Sequence, residues 1–137
     1  MGTYTEFHFN AELKPNIDKN IIEVLNFMLW ESKVFPKQLP KHELFTIKDS
    51  RWKTMLVADS SYFSAATYST LHFDSISESF FLCIRTNFKN YNNEIKLFIG
   101  WIAPYLQEFK GDFLGFYRHE NDKVPTLIYM PEGEEKE

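Results

Sequence analysis

A chain of 137 residues with 44% hydrophobic and 25% charged side chains has the size and balance of one globular domain, long enough to bury a core without disulfide or metal staples. Its net charge of −4 excludes a broad basic field for nucleic acid or an anionic membrane. Its one cysteine, Cys83, excludes an internal disulfide and a cysteine-built zinc site.

Residues 132–137 hold Glu132, Glu134, Glu135, Glu137 and Lys136, a charge of −3, which leaves −1 on the body of the chain (−4 minus −3). The expected division is a single domain over residues 1–131 followed by a disordered acidic tail over 132–137. Fourteen Phe, seven Tyr and three Trp make 18% of the chain aromatic, so the core is expected to be built from rings. The first residues, MGTYTEFHF, carry no basic segment followed by an apolar run, and no apolar stretch approaches the roughly 20 residues of a membrane span. A cytoplasmic location without membrane contact is the expectation.

Residues 3–13 alternate, with Phe7, Phe9, Ala11 and Leu13 on one side and Tyr4, Glu6, His8, Asn10 and Glu12 on the other. This predicts a half-buried strand. Pro15 stops it, and Asn16 is placed to cap a helix whose stripe is Ile17, Ile21, Val24, Leu25, Met28 and Leu29. Residues 30–50 are irregular, broken by Pro36 and Pro40, with a short helical turn expected at 42–45. Lys33, Lys37, Lys41, Lys48, Arg51 and Lys53 give residues 33–53 the one local basic bias.

Residues 52–57 and 68–73 read as strands, with a bulged extension at 60–66 between them. Residues 79–88 read as the strongest strand, with Phe80, Leu82, Ile84 and Phe88 on one face and Phe81, Cys83, Arg85 and Asn87 on the other. A hairpin through Asp74 joins it to the preceding run. Asn92 is the expected cap of a second helix carrying Ile95, Phe98, Ile99, Ile102 and Leu106, and Pro104 is expected to kink it near Gly100. A final hairpin spans 112–119 and 124–130, with Gly115 marking a bulge or a close contact. The order β-α-(β)-β-β-α-β-β predicts an α+β ferredoxin-like sandwich, an antiparallel sheet with two helices on one face. Its core is expected to include Phe7, Phe9, Leu25, Met28, Leu82, Ile84, Phe98 and Ile102.

The runs RWKTML (51–56), SSYF (60–63), NFKNYNNEI (87–95), WIAPYL (101–106), FLGFYR (113–118) and PTLIY (125–129) carry a resemblance that extends over nearly the whole chain. In them the chain resembles a family of small bacterial single-domain proteins with no assigned activity. The resemblance implies a bacterial intracellular protein and supplies no catalytic residue.

Chemistry is therefore sought in the residues themselves. Glu6 and His8 share the polar side of the first strand, and His72 or Arg85 would meet them across the sheet. Such a set of Glu6, His8, His72 and Arg85 is the candidate ligand-binding site on the open face. No histidine pair has metal-ligand spacing, so neither metal nor other cofactor is expected. Ser60, Ser61 and Ser64 lack a nucleophile elbow, and Cys83 lies mid-strand without a helix start to activate it. Residues 79–85 lack the glycines and the leading basic residue of an RNA-binding strand, so nucleic acid is not an expected partner.

The functional expectation is an interaction or ligand-binding module without catalytic signature, forming a homodimer through its surplus aromatics. The alternative is a small enzyme with an apolar pocket enclosed by a dimeric α+β barrel, with His8 or His72 and Arg85 as polar groups.

Overall fold

The computed structural model describes residues 3–131. The acidic run at 132–137, expected to be a disordered tail, lies outside the described residues.

Alternation makes the first strand, β1 (Thr5–Glu12), which buries Thr5, Phe7, Phe9 and Ala11 on one side. Helical spacing makes α1 (Lys19–Met28), whose buried stripe is Ile21, Val24, Leu25 and Met28. The cap is Asp18 rather than the expected Asn16: its carboxylate accepts from the Asn20 amide at 3.0 Å, while Asn16 takes a left-handed turn conformation with φ 63°. Trp30 ends the helix in a left-handed cap with φ 63°. The Trp30 amide bonds the Phe27 carbonyl and the Glu31 amide bonds the Asn26 carbonyl.

The expected turn near His42 forms as α2 (Glu43–Thr46), capped by His42 Nδ1, which accepts from the Leu44 amide at 3.1 Å. The strand expected at residues 52–57 does not form. This segment is a run of turns, with the Met55 amide bonded to Arg51 and the Ala58 amide to Thr54, both at 2.9 Å. The buried residues Trp52, Met55 and Leu56 are spaced three and four apart, which is a helical rather than a strand spacing.

The sheet then continues with β2 (Thr70–Asp74) and β3 (Ser79–Phe88), joined by the expected hairpin. The second long helix, α3 (Glu94–Ile102), begins at Asn93, which has φ 63° and makes no side-chain cap, so the expected Asn92 cap is displaced by one residue. Asn90 supplies the missing acceptor, its Oδ1 taking the Ile95 amide at 3.0 Å. Pro104 falls in a 3-10 turn over Ala103–Tyr105 rather than inside the α-helix. The helical geometry thus changes after Ile102, where the lost proline N–H no longer has to be accommodated by an α-turn. The chain closes with β4 (Phe113–His119) and β5 (Thr126–Tyr129).

Among the described residues the fold is α+β, with one five-stranded antiparallel sheet in the order β2-β3-β1-β4-β5 and three α-helices. β3 lies between β1 and β2, and β1 lies between β3 and β4, so both helical connections skip over a strand. α1 and α3 bury their stripes in one cluster with the inner face of the sheet. All eight expected core residues belong to it, and the Phe98 ring meets Phe7 and Phe9 edge-on at 6.0 and 5.9 Å.

The long connection between α1 and β2 is held to this core by rings. Trp52 packs on Phe27, Phe35 and Phe45, and Phe45 packs on Trp101. Glu94, fully buried at the start of α3, accepts the amides of Arg51 at 2.9 Å and Asn92 at 3.0 Å. The Asn92 side chain in turn donates to the Asp49 carbonyl at 2.9 Å.

Candidate functional site

Period two divides each strand between two faces, so the register decides what the outer face presents. Across β3, β1 and β4 the outer rows read Asn87, Glu6 and Arg118, then Arg85, His8 and Phe116. Glu6 is at the centre and is buried, although it lies on the face away from the helices. Its two oxygens are both engaged: Oε1 meets His8 Nε2 at 3.0 Å, and Oε2 accepts from Arg118 Nε at 2.7 Å. A charge-assisted bond of that length is strong, and it is what permits a carboxylate to be buried here. The His8 ring stacks on Phe116 with centroids 4.4 Å apart, and the Arg118 guanidinium lies 5.2 Å from the Phe63 ring centroid.

Phe63 belongs to residues 59–66, and its contact with Arg118 draws this connection over the outer face. The connection is anchored by three polar groups. Arg85 Nε donates to the Ala66 carbonyl at 2.6 Å, Thr67 Oγ1 donates to the Ala58 carbonyl at 2.6 Å, and Asn87 Nδ2 donates to Asp59 Oδ1 at 3.4 Å. The Asn87 side-chain oxygen, buried in the same row as Glu6, has no hydrogen-bond partner among the described residues.

Of the four residues singled out in the sequence, the structure brings together Glu6 and His8. Arg85 is in register with His8, but its guanidinium is turned to Ala66 and lies 6.0 Å from the Tyr68 ring centroid. His72 is not part of the cluster. It sits on the edge strand opposite Phe81, itself opposite Glu12, four residues along β1 from His8. At about 3.4 Å per residue and 4.8 Å per strand, that separates the two histidine backbones by roughly 17 Å. The residue that completes the cluster is Arg118. It lies in the strand expected at 112–119, but its pairing with Glu6 depends on β4 lying beside β1.

Among the described residues, no group of three or more His, Cys, Asp or Glu side chains is placed to hold a metal ion, and no helix is long and apolar enough to cross a membrane. Within the Glu6 cluster the carboxylate is paired with the Arg118 guanidinium. Two cations of the basic segment rest near rings, Lys53 5.6 Å from the centroid of Phe35 and Arg51 5.0 Å from that of Tyr91. An open depression of about 450 Å³ lies elsewhere, lined by Leu39, Pro40, Lys41, His42, Glu43 and Thr46.

Beyond Phe116 the outer face becomes apolar. Leu127 lies opposite Phe116, and Tyr129 lies opposite Phe113 with their rings 5.8 Å apart. Phe113, Leu127 and Tyr129 are 57, 49 and 50% exposed, and Phe109, in the turn that leads into β4, is 80% exposed. No protein family, curated protein or solved structure matches the chain.

Proposed function

We propose that this chain is a non-enzymatic interaction module of ferredoxin-like plan that works as a homodimer, with the outer face of β4 and β5 as its contact surface. The observation that carries this reading is the exposed row formed by Phe113, Leu127 and Tyr129, continuous with the Phe116–His8 stack. Apolar side chains clustered on one surface mark an association site more often than scattered ones do. The skipped-strand connections support the ferredoxin-like plan, with β5 as an added edge strand. The bacterial origin implied by the sequence resemblance is part of the same reading.

The Glu6 cluster serves this module as a floor. By satisfying a buried carboxylate internally, it fixes the His8 ring against Phe116 and so shapes one margin of the contact surface. Light scattering at micromolar concentration tests the proposal. The expected mass is twice 16.3 kDa, falling to the single-chain value for Leu127→Glu with an unchanged circular dichroism spectrum. A single-chain mass for the parent protein overturns it.

A further inference from the structure

The two edges of the sheet are not alike. At one edge, β2 presents His72 and Asp74, polar groups of the kind that guard an edge against another strand. At the other edge β5 reads Thr126-Leu127-Ile128-Tyr129 and carries no charge. Its inner hydrogen-bonding side is set by Met130, whose amide donates to the Asp112 carbonyl at 2.7 Å and whose carbonyl accepts the Gly111 amide at 2.9 Å. Backbone direction alternates along a strand, so Leu127 and Tyr129 turn their N–H and C=O groups away from β4.

The same alternation applied to the flanking sequence places Pro125 and Pro131 in the outward series. Neither can donate. Resting on the homodimer reading above, we infer that the partner is a second copy joined edge to edge, β5 against β5 antiparallel, with Leu127 opposite Tyr129 of the second copy. In this register both outward residues are bonded in each chain, giving about four backbone hydrogen bonds. Pro125 then faces Pro131 of the second copy, and the ladder stops there. Moving the register two residues either way sets Tyr129 opposite Pro125 or Leu127 opposite Pro131, and each such pair loses a donor.

The pairing also joins the two apolar rows into one floor across the two-fold axis. Phe109, Phe113, Leu127 and Tyr129 are 80, 57, 49 and 50% exposed. Of these, only Leu127 and Tyr129 lie on β5 and meet their counterparts across the seam.

The test uses the full chain with Cys83→Ala and single cysteines at the edge. Leu127→Cys and Tyr129→Cys chains, mixed and oxidised, should form a disulfide between the two different chains in several-fold excess over either chain with itself, since opposed residues in this register are about 5.5 Å apart at Cα. Self-linking of either variant in excess of the mixed product establishes another register and overturns the inference. Dimer mass without any edge disulfide also overturns it, while leaving the homodimer standing. A monomer mass for the parent removes both readings. Leu127→Pro adds a second readout, because it deletes an outward donor and should weaken the dimer at least tenfold. Unchanged dimer affinity in a folded Leu127→Pro chain would overturn the edge pairing.

Discussion

The two faces of the sheet spend the same residue type differently. On the inner face, the Phe98 ring meets Phe7 and Phe9 edge-on and all three are fully buried, so each ring stabilises through lost water contact and through its neighbours. On the outer face, Phe116 stacks on a histidine, Phe63 lies over an arginine, and Phe113 and Tyr129 remain half exposed. One face closes the fold. The other is only partly covered by the chain's own loop. The difference shows that aromatic content predicts burial poorly until the register is known: Phe113 and Phe116, three residues apart, share the outer face because β4 shifts register between Phe113 and Gly115.

Truncating a ring that packs on the inner face should have the largest effect. Phe98→Ala should cost about 3–5 kcal/mol in chemical denaturation, whereas Leu127→Ala on the outer face should cost under about 0.5 kcal/mol in the monomer. Equal losses would mean the faces are wrongly assigned. Next comes the seam between the central strands. A Cβ on Gly115 would overlap the His8 carbonyl, and Gly115 also has a positive φ of 156°. Gly115→Ala should therefore destabilise by about 3 kcal/mol, read as a fall in the denaturation midpoint at unchanged slope.

A smaller effect is expected at the polar floor. Glu6→Gln leaves Arg118 without its carboxylate, and because the Arg118 side chain is 31% exposed, water offsets part of the loss. About 1–2 kcal/mol is expected, shrinking in an Arg118→Ala background as the two changes couple in a double-mutant cycle.

The smallest effect concerns the β2–β3 turn. The Asp74 carboxyl is held below its ordinary 3.8, chiefly because the Ser77 amide and hydroxyl donate to it. A depressed carboxylate contributes stability that is present above its unfolded value and lost as pH falls through the folded one. Lowering pH from above 3.8 through the folded value should thus loosen this turn locally, visible as a loss of protection of the Ser77 amide relative to its intrinsic exchange rate at each pH. The acid sensitivity should vanish in Asp74→Asn.

Much of the inner face was legible because period two in β1 and β3 and period 3.6 in α1 and α3 each separate buried from exposed positions. The turns at 52–58 were not, because a four-residue alternation and one helical turn can bury the same few residues. Trp52, Met55 and Leu56 decide the matter only once Phe27 and Phe45 are seen against Trp52. Of the site, the Glu6–His8 pair was readable as neighbours on one side of a strand. Arg118 and the displacement of His72 were not, since both depend on which strands are adjacent and in what register.

Glu94 has a consequence for how the molecule opens. Its carboxylate takes backbone amides from positions 51 and 92, and Asn92 reaches back to Asp49, so the irregular excursion and the start of α3 share one buried acceptor. Neither can detach without breaking hydrogen bonds to that acceptor. Residues 49–58 therefore belong to the same cooperative unit as α3, and the Arg51 amide should exchange with solvent at the rate of the helix rather than of a loop.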